Sequence, residues 1–216
     1  MNISSRQLKL SFLTLLVFAT FIITDPVFAR DHDDDDDDDD DLSDKKVIVI
    51  CCTWGHELAD GTLTYSIKDK DDDLQDAVRN AVDSWNEVLT GIRLVETNDN
   101  EDIEFSFKND GKKIAGVTVN YFDRHGFVRQ SEVIISEESY DRDFSSSQIE
   151  QIALHEVGHV LGLDHANFRG NLMAERVDTG NSKISSCEIE AVNIANAWKV
   201  NGGDTMYLPK EKYLEC

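Results

Sequence analysis

The stretch His155-Glu156-Val157-Gly158-His159-Val160-Leu161-Gly162-Leu163-Asp164-His165 gathers three imidazoles and a carboxylate into one short segment of the 216-residue chain. Side chains four apart on an α-helix lie one above the other, so His155 and His159 project from one face and can share a metal ion. Glu156 directly follows the first imidazole, which turns it to the neighbouring flank, within reach of a water on the ion but outside the ligand set. Gly162 can adopt the left-handed backbone that ends a helix, and the reversed chain then delivers His165 as a third ligand from outside the helix. Three protein ligands leave the fourth position of a tetrahedral zinc to water, the arrangement of a catalytic rather than a structural site. A core helix carrying two imidazoles and a glutamate without a partner would bear a heavy desolvation cost, so it is the poorer reading.

Working outward, Ser147 and Glu150 are spaced as a capping box, which predicts the start of the motif helix. Ile152 to Leu163 is apolar on nearly every side apart from the site residues, which predicts a path through the centre of a domain. Earlier in the chain Leu74, Ala77, Val78, Ala81, Val82, Trp85, Val88 and Leu89 recur at helical spacing, between Asp71 to Asp73 and Gly91. Strand patterns fall at Lys46 to Cys52, Leu63 to Ile67, Ile92 to Glu96, Ile103 to Phe107, Val117 to Phe122 and Ser131 to Ser136, with Gly126 at the turn between the last two. Beyond the motif, Ser185 and Glu188 open a last helix that carries Ile189, Val192, Ala195 and Trp198. Strands, helix, strands, helix, helix predict an α+β domain with one mixed, mainly parallel sheet, a long first helix, a central motif helix and a C-terminal helix.

Residues 1–29 are arranged as an export signal: Arg6 and Lys9, an apolar run from Leu10 to Thr24, then Val27-Phe28-Ala29 as cleavage site. The run is short for a bilayer span and no second one follows, so no stable membrane span is expected after cleavage; an uncleaved signal anchoring the chain at the cell surface is the alternative. Residues 30–45 hold the unbroken run Asp33 to Asp41, which repels itself and buries nothing, and a disordered solvated linker is expected. Residues 46–203 are then the catalytic domain and 204–216 a C-terminal tail. The formal charge is −22, less than half of it from the aspartate run, which disfavours nucleic acid as a partner and suits basic substrates. Cys51, Cys52, Cys187 and Cys216 are an even set compatible with two disulfides in an exported chain. Neighbours on a strand point to opposite faces, so Cys51 and Cys52 are expected to pair with Cys187 and Cys216 rather than with each other.

The long motif followed by Met173 in Asn171-Leu172-Met173-Ala174 resembles the metzincin clan of zinc metallopeptidases, and most closely its matrixin, or matrix-metalloproteinase-like, branch. Trp54, Leu63 to Ile67, the helix ending in Trp85-Asn86-Glu87-Val88, and Asp102 to Phe107 resemble successive elements of a matrixin catalytic domain, so the resemblance runs from Lys46 to Gly203. It implies a zincin fold with Met173 as an apolar floor beneath the metal. It also implies calcium as an additional ion, and a protein or peptide substrate bound extended along a strand edge, at Gly116 to Phe122 or Ser131 to Ser136. Ala166 stands where matrixins usually have serine, and no proline follows Met173. The other histidines, His32, His56 and His125, are scattered, so one zinc is expected, in a monomer.

Together these readings predict a secreted zinc endopeptidase in which His155, His159 and His165 hold the metal and Glu156 is the general base for an activated water. The alternative is a non-catalytic exported protein that binds zinc or calcium, or adheres to a surface, through the aspartate run; Glu156 would then be dispensable.

Overall fold

The computed structural model describes residues 45–216 apart from 70, 110–113, 140–141, 177–182 and 204, all within one unit, Asp40–Cys216. The export signal and the aspartate run lie outside the described residues. Five strands, β2 (Thr62–Ile67), β3 (Arg93–Glu96), β4 (Ile103–Lys108), β5 (Gly116–Phe122) and β6 (Val128–Ser136), form the main sheet in the order β3-β2-β4-β6-β5. β2 runs parallel to β3 and β4, and β4 parallel to β6; β5 alone is antiparallel and closes one edge. This is the mixed, mainly parallel sheet expected of a matrixin-like α+β fold. The alternation of β4 accounts for its place: Ile103 and Phe105 are buried, in register with Ser131 and Val133 of β6.

Two helices cover the buried face. In α1 (Asp72–Val88) the Asp71 side chain accepts from the backbone N–H groups of Asp73 and Leu74, satisfying two orphan donors of the first turn. Its stripe Ala77, Val78, Ala81, Val82 and Trp85 is buried against the motif helix α2 (Ser146–Val160). The entrance of α2 differs from the expectation by two residues: the capping box is Ser145 with Gln148, not Ser147 with Glu150. Ser145 holds an extended backbone that launches the helix, and Glu150, displaced into the second turn, accepts from the Asn80 amide of α1 instead. Ile149, Ile152, Ala153, Leu154, Val157 and Val160 are all buried, as an all-round apolar helix requires.

A second, antiparallel sheet has the order β10-β1-β9, from β1 (Val47–Ile50), β9 (Leu163–Ala166) and β10 (Tyr213–Glu215). The residues expected to be a tail therefore return to the domain, because the free edge of β1 offers its backbone groups to Tyr213–Glu215. A two-residue pair, β7 (Glu138–Ser139) with β8 (Arg142–Asp143), precedes α2. The last helix, α3 (Ser186–Ala195), opens with the predicted Ser185–Glu188 capping box. It breaks at Asn196, whose side chain is engaged with Leu161 O and Trp54 N, and Trp198 falls on the following turn α4 (Ala197–Val200).

The disulfides depart from the expected pairing: Cys51 is joined to Cys52, and Cys187 to Cys216. β1 ends at Ile50, so the two adjacent cysteines lie past the strand and the opposite-face argument does not apply to them. Cys216 follows β10 directly, and the pairing of β10 with β1 carries it to the start of α3.

Candidate metal centre

Each histidine is positioned by a different device. His155 and His159 stand one helical turn apart on α2, with their Nε2 atoms 3.1 Å from each other. His155 Nδ1 lies 2.7 Å from Leu172 O, and His159 Nδ1 lies 2.9 Å from Leu163 O. A carbonyl oxygen can only accept, so both Nδ1 atoms carry the proton and both Nε2 lone pairs point into the shared space. His165 arrives from β9 after the reversal at Gly162, whose φ of +100° is left-handed, as predicted. A side chain at Gly162 would also collide with the carbonyl oxygen of Cys52. β9 is locked on both sides, by antiparallel pairing with β1 and by the bond from Ala166 N to Met173 O (2.7 Å).

The ligand atoms of His155, His159 and His165 all lie within 4.8 Å of one another, and they form the one such group of His, Cys, Asp or Glu found among the described residues. The donor set fits zinc. Two zinc–nitrogen bonds of about 2.0 Å at the tetrahedral angle need nitrogens about 3.3 Å apart, close to the separation seen between the two Nε2 atoms. Burial holds the pKa of both helical imidazoles down to about 4, with the neighbouring imidazoles adding to the shift, so the neutral, metal-binding form prevails.

Glu156 lies beside this group, only 3% exposed. Burial raises its carboxyl pKa, against the opposing pull of His155 and of a hydrogen bond from Thr118. Thr118 Oγ1 sits 2.7 Å from Glu156 Oε2 and 3.2 Å from Glu156 O. Met173 is fully buried, and its thioether packs against Gly158, where any added side chain would strike the sulfur. The methionine thus fills the underside of the turn that bears both histidines.

Several supporting residues are not apparent from the sequence. Gly158 costs about 1 kcal/mol relative to alanine inside a helix, and that anomaly is the available signal for a close approach. Glu188, buried at 0% exposure, accepts from Leu172 N and from Ser185 N and Oγ. Its capping role is legible, but its grip on Leu172, whose carbonyl orients His155, is not, because the two are joined only in space. Gly116 and Thr118 carry no signal beyond a strand pattern. Of the two strands expected as a substrate edge, Ser131 to Ser136 lies between β4 and β5 and is interior, while Gly116–Phe122 is the edge.

The fold and this centre define an α+β protein with a three-imidazole group able to hold a metal ion beside a buried carboxylate, and comparison with known proteins narrows it. The family model described as Matrixin matches residues 53–196, more than half of the chain, and the chain belongs to the matrixin family, zinc metallopeptidases of the metzincin type. No curated protein matches. Among solved structures, a chain of the "GM1 bound form of the ECX AB5 holotoxin" is similar at a TM-score of 0.45 and 17% identity, over 68% of this chain and 78% of that one.

Proposed function

We propose that this protein is a secreted zinc endopeptidase that cleaves protein substrates bound extended along β5. The observation that carries the reading is the convergence of three imidazoles within 4.8 Å of one another beside the buried carboxylate of Glu156. Zinc held by His155, His159 and His165 would supply Lewis-acid polarisation of the scissile carbonyl and lower the pKa of a water toward neutrality. Glu156 takes the proton of the attacking water on a carboxylate oxygen and hands it to the amide nitrogen that leaves as an amine. Leu172 O and Leu163 O hold the imidazole rings in the tautomer that keeps Nε2 free. β5 pairs with β6 on one side only, so its other edge presents backbone groups that a peptide can complete as an added strand.

Among the described residues no helix is long and apolar enough to cross a membrane. The reading of the chain as secreted rests on the arrangement of residues 1–29 and on the extracellular habit of matrixins. The test is digestion of unfolded casein by the zinc-loaded protein, with and without a chelator, beside Glu156→Ala. The expected outcome is cleavage by the wild type that chelation abolishes, and a loss of at least about a thousandfold in the variant, with zinc retained. Turnover surviving in Glu156→Ala would remove the assigned role.

A further inference from the structure

The inward face of the edge strand β5 is built from alternate residues Gly116, Thr118 and Asn120, and all three meet α2. Asn120 Nδ2 reaches His159 O at 3.4 Å, and its own Oδ1 is held by the Ser131 hydroxyl. Thr118 has one hydroxyl proton and two acceptors in range; the carboxylate oxygen Oε2 is the nearer at 2.7 Å and, being charged, the stronger. The other carboxylate oxygen, Oε1, lies over Gly116, where a methyl group would strike it and would come within 2.8 Å of the carboxyl carbon. The carboxylate is thus tethered at one oxygen and fitted against bare backbone at the other.

We propose that Thr118 is a positioning residue for the general base: its hydroxyl, with the absent side chain of Gly116 beside it, sets the direction in which the Glu156 carboxylate faces the metal centre. This rests on the peptidase reading. It adds that the strand expected to receive the peptide also holds the base, so substrate and proton acceptor are registered on one element. A Thr118 that merely satisfied its own hydroxyl would influence folding or zinc retention, not turnover of bound substrate.

The experiment uses the zinc-loaded full chain and a fluorogenic peptide drawn from a casein cleavage site, with zinc content, kcat and KM measured for wild type, Thr118→Val, Thr118→Ala, Thr118→Ser and Gly116→Ala. Thr118→Val keeps the branched shape and removes the hydroxyl; it should keep zinc, hold KM within about twofold and lose kcat about ten- to a hundredfold. Thr118→Ser restores the hydroxyl and should recover kcat to within about threefold of wild type. Gly116→Ala should lower kcat by displacing the carboxylate, again with zinc retained. The proposal is overturned by a Thr118→Val kcat equal to wild type, or by Thr118→Ser as slow as Thr118→Val. Loss of zinc or fold in both Thr118→Val and Thr118→Ala would also overturn it, making Thr118 structural. Zinc-loaded wild type that cleaves nothing would overturn the peptidase reading and this inference together, an outcome distinct from a cleaving wild type indifferent to Thr118.

Discussion

Gly162 is the residue on which the ligand set turns. Its φ of +100° and the carbonyl of Cys52 against its Cα exclude any side chain, and the reversal it makes is what brings His165 back to His155 and His159. Gly162→Ala combines a left-handed non-glycine backbone with a collision against main-chain atoms, which cannot rotate away. It should lose about 2–4 kcal/mol of stability, read from urea unfolding of the metal-free chain, and bind zinc more weakly. Equal unfolding midpoints for variant and wild type would show that the turn tolerates a side chain. Gly158 obeys a different constraint: its backbone is helical and ordinary, and the restriction is the sulfur of Met173 lying against it.

At the scale of elements, the centre depends on three segments being fastened to one another. α2 is tied by Trp54 Nε1 to Val160 O (2.7 Å) and by Trp85 Nε1 to Leu154 O (2.9 Å), bonds that fix its position against the rest of the core. α3 reaches the metal centre through Glu188, which holds Leu172 N at 3.2 Å while Leu172 O holds His155. Glu188→Ala would leave the buried N–H group of Leu172 and the part-buried one of Ser185 without their acceptor, at a cost of about 1–3 kcal/mol. Because that support reaches the His155 ring at one remove, zinc affinity should also fall about ten- to a hundredfold, measured by chelator competition. Full zinc affinity in a folded Glu188→Ala protein would show that the Leu172 segment holds its place without α3.

At the scale of the whole described domain, the two ends are joined through β1. β10 lies on one side of β1, β9 on the other, and Cys187–Cys216 links β10 to the start of α3. The bond closes a loop with a sequence separation of 29, so Cys187→Ser with Cys216→Ser should lower stability by about 3–4 kcal/mol through greater freedom of the unfolded chain. Thermal unfolding of oxidised wild type and the double variant measures it, and an unchanged Tm would show that β10 is held by its strand pairing alone.

The amino-acid sequence by itself determines the three histidines, Glu156 and the Gly162 turn, because helical spacing and left-handed backbone are properties of adjacent residues. It also determines the strands of the main sheet and the stripe of α1, because periodicity reports which face is buried. Tertiary structure alone decides the rest: Thr118 against Glu156, Glu188 beneath Leu172, Met173 under Gly158, the return of β10 to β1 and the disulfide pairing. Spacing of up to four residues is read from the period of a helix or strand, whereas contacts across 16 or 38 positions arise only when packing closes the chain on itself.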